Sequence, residues 1–405
     1  MMGKPVRDVE GSPERRHAGL IFLVFLKLGL SSFGGPIAHL GYFRDTFVVR
    51  RKWLTEHAYG SLVGLCQILP GPASSQVGFA IGLQQGGMRG ALAAFAGFTL
   101  PSALLMLAAA WGLKWLPTNL RTPLFHGLVL VAAPIVAHAV IGMAQRLCTG
   151  WLTASIATLA AAALIVFDLP WLAPALIVAG GLAGIAFLHD TKGAGSLGPV
   201  GFSRAAGMVC LALFLTLLIG LPLAATLAPF PALQLADGFY RTGALVFGGG
   251  HVILPLLEAE TAARGWIAAE PFLAGYGAAQ ALPGPLTAFA AYLGAVSETG
   301  LDPLIAGLIA LLAIFAPGLL LIAGAMPLWN RVSERGWMAG LSAGAGAAVV
   351  GVLGAALWRP VISSAVLGPA DWAIALAGLA GLMLRAPVWQ VVIGVALAGA
   401  YSSAG

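Results

Sequence analysis

Two places in this chain carry the same three residues, Pro70-Gly71-Pro72 and Pro283-Gly284-Pro285. Prolines on both sides of a glycine remove backbone donors and forbid a continuous helix. The second proline is also a favoured first residue for a new helix. The free N–H groups and positive dipole end of that half-helix point into the break, which suits a small anion. Gly34-Gly35-Pro36 and Gly248-Gly249-Gly250-His251 are expected to form breaks of the same kind. A single break could be a packing kink, but four at related positions favour the anion site.

Other side chains near the breaks could complete such a site. Lys27 and Arg241 lie in apolar helices about two turns ahead of the glycines. A basic residue at the bilayer centre costs about 2.5–3.5 kcal/mol on insertion scales. Complementing an anion would offset that cost. Snorkelling is the alternative for Lys27, because Arg15 and Arg16 mark that edge. Gln67 and Gln280 precede the Pro-Gly-Pro breaks and offer amide donors either to an oxyanion or to a neighbouring helix. His39 and His251 follow the glycine breaks without aligning with each other, and a structural role competes with ligand binding or proton sensing at both. Ser31, Ser32, Ser74 and Ser75 could donate hydroxyls, although serine also caps and packs such helices.

Several chemistries are excluded. Gly340-Leu-Ser342-Ala-Gly344 matches the nucleophile motif of serine hydrolases, but that motif needs a strand-to-helix elbow and here sits in an Ala/Gly-rich helical run. Gly340 and Gly344 read as a small-residue packing face, so no enzyme activity is expected. No H-E-x-x-H, Walker loop or dinucleotide fingerprint occurs. Cys66, Cys148 and Cys210 are far apart and predict three buried, inert thiols, with no zinc site and no disulfide framework. Neither a cofactor nor a metal is expected.

The elements that must position these residues are membrane helices. Of the 405 residues 59% are hydrophobic and only 9% charged, whereas a soluble domain spends about a quarter on charge. The net charge of +6 is not gathered into a basic, aromatic-interleaved patch, which excludes a nucleic-acid surface. The polar stretch 1–19 reads as a tail, and the apolar run behind it as retained rather than cleaved. Apolar stretches follow to the end of the chain. Those at 18–42 and 56–88, and at 237–256 and 270–298, are interrupted midway by Gly and Pro, leaving about nine to thirteen crossings. All should be helical, because open strands cannot satisfy their backbone in lipid.

The chain also repeats itself. Phe25, Gly29, Phe33, Gly34 and Gly35 recur at a constant separation as Phe239, Gly243, Phe247, Gly248 and Gly249, with Lys27 falling on Arg241. Trp53 recurs as Trp266, the Pro-Gly-Pro motifs follow, and Pro101, Gly127, Arg146 and Pro170 pair with Pro317, Gly340, Arg359 and Pro387. This divides the chain into a tail (1–19), a first repeat (20–190), a linker with one apolar span (191–233) and a second repeat (234–405). The loop after the first broken segment holds Arg44, Asp45, Arg50, Arg51 and Lys52 in one half, but Glu258, Glu260 and a single Arg264 in the other. Basic loops stay cytoplasmic, so the halves are inverted. The predicted fold is an all-α polytopic membrane protein of two inverted homologous halves with Gly/Pro-broken or re-entrant helices, an arrangement typical of secondary transporters.

Phe33-Gly34-Gly35-Pro36 with His39, Arg51-Lys52-Trp53-Leu54, Gln67-Ile-Leu-Pro70-Gly71-Pro72, Gly82 and Leu100-Pro101-Ser102 resemble the first half of the bacterial chromate ion transporter (CHR) family. Phe247-Gly248-Gly249-Gly250-His251, Gly265-Trp266, Gln280-Ala-Leu-Pro283-Gly284-Pro285 and Gly294 resemble its second half. The resemblance implies chromate export across the bacterial inner membrane, giving resistance, with sulfate as a similar competitor. Transport of sulfate or another oxyanion, by exchange or inward, is the alternative. A cytoplasmic N-terminus is expected, and a homodimer is an open option. Chromate is a tetrahedral dianion that needs N–H groups and cations. Moving it outward gains about 4.6 kcal/mol per 100 mV of inside-negative potential, an outside excess of about a thousandfold.

Overall fold

The computed structural model describes residues 16–115, 117–167, 169, 171–188, 202–247, 253–329 and 337–404. Among them there is no strand. The first repeat opens with α1 (Ala18–Ser31) and α2 (Gly35–Arg44), which runs on into a π-helical turn, Asp45–Arg50. Then come α3 (Glu56–Ile68) and α4 (Ala73–Trp115), the latter sharply broken at Gly86-Gly87. Helices α5 (Thr118–Leu147), α6 (Trp151–Val166) and α7 (Leu172–Phe187) complete the repeat, and α8 (Arg204–Leu227) links it to the next.

The second repeat has the same order: α9 (Pro231–Ala244), α10 (Ile253–Ala263), α11 (Ala269–Ala281), a 3-10 turn (Leu286–Ala288) into α12 (Phe289–Val296), and α13 (Pro303–Ala325). It ends with α14 (Trp337–Ala356), α15 (Pro369–Met383) and α16 (Val388–Ala404).

The broken segments do not cross; they turn back. Trp53, just ahead of α3, accepts through its carbonyl from Gln85 Nε2 at 3.1 Å, and the Gln85 carbonyl accepts from Arg16 N–H at 2.8 Å. Residues 73–85 therefore return to the face where α1 and α3 begin. The second repeat does the same, with Glu298 N–H donating to the Trp266 carbonyl at 2.9 Å. Each repeat thus holds two re-entrant hairpins, α1/α2 with α3 and the first arm of α4, or α9/α10 with α11/α12. Their arms of mostly 13–14 residues reach about 20 Å, enough for the middle of a 30 Å hydrocarbon layer but not its far side.

Helices α4, α5, α8, α13 and α14 are long and apolar enough to cross a membrane. The α6/α7 and α15/α16 hairpins are shorter, and exposed Phe167, Leu169 and Trp171 carry the apolar surface of the first around its turn. Counting both hairpins gives four crossings per repeat, and the single span α8 then sets the second repeat upside down. Exposed Trp151, Trp337, Trp372 and Trp389 stand in the first turns of their helices, where amphipathic rings mark a membrane interface.

Helix association in lipid depends on close packing of small residues. That appears where α7 meets α14: a methyl on Gly180 would lie 2.8 Å from the Gly344 carbonyl oxygen, and one on Gly184 would strike that of Gly340. The hydrolase-like motif is therefore one side of a glycine zipper. Gly127 of α5 packs in the same way on Ala396 of α16. Since α5 and α14 are equivalent helices, each repeat lays its last hairpin on the other repeat. Aromatic clusters fill the re-entrant hairpins, with Phe25 stacked on Phe47 at 5.0 Å and Phe43 edge-on to Phe98 at 5.1 Å. One expectation is corrected: only Cys66 is buried. Cys148 caps the end of α5 and Cys210 sits on the lipid-facing helix α8, so both are partly exposed.

Candidate functional site

The tips of the re-entrant hairpins meet across the repeats. Gly71 N–H donates to the Val246 carbonyl at 2.6 Å, and Gly284 N–H donates to the Ser32 carbonyl at 2.9 Å. Ser32 and Val246 are equivalent, each preceding the Phe-Gly-Gly of its repeat. The two bonds are therefore one contact made twice, with each Pro-Gly-Pro tip held by the other repeat's glycine tip. Both glycines have the positive φ that L side chains avoid, +128 and +96. Neither has room for a Cβ. A methyl on Gly71 would come within 2.7 Å of Gly318 Cα, and one on Gly284 within 2.9 Å of Ser102 Oγ. Gly318 and Ser102 are equivalent too, each following the proline inside α13 or α4.

Around this crossing the first repeat places polar groups. His39 of α2 is fully buried. Its Nε2 lies 3.2 Å from the Ser32 carbonyl, an acceptor only, so Nε2 carries the proton and Nδ1 faces Ser74 Oγ at 3.4 Å as acceptor. The ring stands edge-on to Phe98 at 5.3 Å. Gln76 Nε2 donates to the Pro70 carbonyl (2.9 Å) and the Gly318 carbonyl (3.0 Å), tying the tip to α13. Three hydroxyls, of Ser32, Ser75 and Thr99, are buried with no hydrogen-bond partner, as is Gln76 Oε1. Left unpaired, each such group costs about 1–3 kcal/mol, so an unpaired cluster marks a place that expects something polar.

The remaining predicted residues are placed as follows. Gly34 and Gly35 form a left-handed turn into α2, with Pro36 in its first turn. Pro72, Pro283 and Pro285 are buried at the tips, and Pro70 is half-buried. Gln280 is half-buried one turn ahead of the second tip, with its Nε2 buried and unpaired, while Gln67 is exposed and its carbonyl accepts from Ser342 Oγ at 3.1 Å. Gly248, Gly249, Gly250 and His251 lie outside the described residues. Lys27 is exposed on α1 and faces a groove of about 380 Å³ that runs along the helix to Ser31 and is lined by Tyr42, Asp45, Arg50 and Arg51.

Arg241 is engaged elsewhere. It binds Asp237 with two bonds (2.8 and 3.0 Å) and Glu260 at 3.2 Å, and Arg264 binds the same two carboxylates at 2.9 and 2.6 Å. This neutral quartet of two acids and two bases fixes α9 to α10 along the length of their hairpin. Arg264 also lies over Trp266 at 4.9 Å, as Arg51 lies over Trp53 at 5.5 Å in the first repeat. Among the described residues no group of three His, Cys, Asp or Glu could hold a metal.

Residues 19–185 and 233–400 each match the sequence model of the chromate transporter family. The chain belongs to the chromate transporter family. It is 26% identical to a chromate transport protein of Pseudomonas aeruginosa over 391 residues, covering 94% of this chain and 91% of that one. A probable chromate transport protein of Synechococcus elongatus is 29% identical over 325 residues, 76% of this chain and 75% of its own. An uncharacterized transporter of Bacillus subtilis is 26% identical over 117 residues, 29% of this chain and 64% of its own. No solved structure matches the chain. In this family member, sequence reasoning missed Gln76, Thr99 and Asp237. Ser74-Ser75-Gln76, one residue after a Pro-Gly-Pro, is a polar run in an apolar helix, and an acid four residues ahead of Arg241 is a visible ion-pair spacing.

Proposed function

We propose that this protein is a secondary transporter that carries chromate out of the cytoplasm, with its site at the crossing of the four hairpin tips. The observation that carries the reading is the reciprocal pair of bonds from Gly71 to Val246 and from Gly284 to Ser32. It sets two inverted sets of broken helices on each other, and helix ends at membrane depth are tolerated where they line a cavity or are buried in protein. The mouths of the hairpins support the direction. That of the first repeat carries Arg16, Arg44, Arg50, Arg51 and Lys52 against Asp45 and Glu56; that of the second carries Glu258, Glu260, Glu270 and Glu298 against Arg264, with Asp237 and Arg241 paired deeper in the hairpin. In an inner membrane with the basic mouth on the cytoplasmic side, and the N-terminus with it, anions gather at the entry and are repelled at the exit. Rocking of one hairpin pair against the other would open the crossing alternately to each side.

The test is uptake of radiolabelled chromate into inverted vesicles energised inside-positive, with sulfate added as competitor. Uptake that follows the potential and is lowered by sulfate as a competitor is expected. If chromate does not enter and sulfate does, the protein is a sulfate carrier.

A further inference from the structure

We propose that the oxyanion is held off the pseudo-twofold axis, on the first repeat's side, by uncharged donors: the free N–H groups at the start of α4 with the hydroxyls of Ser32, Ser75 and Thr99. This rests on the oxyanion reading above and names the groups that hold the ion.

The argument begins with the two helix starts that follow the Pro-Gly-Pro tips. In α4 the first backbone bond is from Gln76 N–H to the Pro72 carbonyl at 2.9 Å, so the N–H groups of Ala73, Ser74 and Ser75 have no partner among the described residues. In the second repeat a 3-10 turn intervenes. Ala288 N–H is bound to the Pro285 carbonyl at 2.9 Å, and Phe289 N–H to the carbonyls of Leu286 and Thr287. By the same count the second helix start leaves only the N–H groups of Leu286 and Thr287 without a partner among the described residues, one fewer than the first.

The side chains differ in the same sense. Ser32, Ser75, Gln76, Thr99 and Ser102 of the first repeat correspond to Val246, Ala288, Phe289, Phe315 and Gly318 of the second. Three of the first set hold hydroxyls that are at most 3% exposed at the level of the residue and have no partner. The contacts gather their segments. The Ser32 carbonyl takes both His39 Nε2–H and Gly284 N–H, His39 reaches Ser74 beside Ser75, and Gly284 abuts Ser102, whose hydroxyl donates to the Thr99 carbonyl at 3.0 Å. Opposite, Phe289 packs among Phe272, Tyr276 and Tyr292 as an apolar wall.

Gln76 orients the ion further. Both its amide N–H bonds go to carbonyls, and its unpaired Oε1 would repel an anion, so the ion belongs on the Ser75 side of the helix, about 100° away. Hydroxyl and amide donors with a helix N-terminus can balance a dianion without a buried cation. That accounts for Lys27 facing outward and Arg241 being neutralised by acids.

The experiment is equilibrium binding of radiolabelled chromate and, separately, sulfate to purified full-length protein in detergent. Ser75→Ala and Thr99→Val are each expected to weaken binding about tenfold to a hundredfold, the loss of a hydrogen bond to a charged group. Ser75→Thr, which keeps the hydroxyl, is expected to bind within a few-fold of wild type and controls for folding. Thr287→Val, at the position equivalent to Ser74, is expected to bind normally. If wild type binds chromate but Ser75→Ala and Thr99→Val bind it equally well, or if Thr287→Val weakens binding as much, the one-sided site is wrong while the chromate reading stands. Sulfate bound in place of chromate, still weakened by Ser75→Ala, would keep the site and sink the chromate reading. No binding of either ion overturns both.

Discussion

Gly284→Ala tests the crossing of the tips quantitatively. The new Cβ would sit 2.9 Å from Ser102 Oγ and 3.1 Å from its Cβ, on a backbone with φ +96. Left-handed backbone costs an L residue about 1–2 kcal/mol, and overpacking a filled site about 1–3 kcal/mol. The variant should lose about 2–5 kcal/mol, most of it recoverable. Ser102 is the position where the other repeat has Gly318, so Ser102→Gly should relieve the clash and leave only the backbone strain. On its own Ser102→Gly costs about 1 kcal/mol as a helical glycine. The two substitutions are therefore expected to couple favourably by about 1–3 kcal/mol in a double-mutant cycle. Gly71→Ala has no such remedy, because its Cβ would meet Gly318 Cα at 2.7 Å and backbone cannot be trimmed. It should be the more damaging of the two. Reversible unfolding in mixed detergent micelles, followed by circular dichroism, reads the wild type and all four variants. If Ser102→Gly leaves Gly284→Ala no closer to wild type, or if Gly71→Ala is the milder change, the tips do not cross as described.

Three further outcomes are expected. Arg241→Ala leaves the 3%-exposed Asp237 with one partner fewer and should cost about 3–5 kcal/mol, seen as less folded protein on size exclusion. The chromate affinity of the surviving protein should be unchanged, and a lower affinity at constant yield would return Arg241 to the anion. Gly184→Leu or Gly344→Leu should split α7 from α14 and lower stability by about 1–3 kcal/mol or more; retention of wild-type unfolding would show that this zipper carries no weight. In a cysteine-free background, cysteines at His57 and Glu270, the exposed first turns of α3 and α11, should react with impermeant thiol reagents from opposite sides of the membrane. Labelling from one side would contradict inversion.

Much of this was readable in the sequence because glycine and proline punctuate it. The breaks, the repeat and the charge of equivalent loops need no tertiary information. That the broken segments turn back was less legible. Helix α3 followed by Pro70-Gly71-Pro72 reads equally as half of a kinked crossing, and only the Gly86-Gly87 turn hints that residues 73–85 run the other way. Lys27 and Arg241 illustrate a second limit. They align, but Asp237 stands where the first repeat has Leu23, so one base is neutralised and the other faces a groove. Thr99 and Ser75 show a third, since a hydroxyl in an apolar helix usually bonds its own backbone and only the three-dimensional packing reveals that these do not. The exchange of last hairpins between repeats has no local signal, because the zipper glycines pair across distant parts of the chain.

That exchange has a consequence for biosynthesis. Helices α6 and α7 leave the ribosome well before α14, the helix they pack on, has been made. Until then the alanine face of α6 and the glycine face of α7 have no second-repeat helix to pack on, and the Pro70-Gly71-Pro72 tip lacks its second-repeat partners Val246 and Gly318. The first half is thus an incomplete product rather than an autonomous module, and its native contacts form only when the later half inserts around it. A chain terminated after α7 would present the quality-control proteases with a bare glycine seam, and abundance in the cell should depend on the second half being made in full.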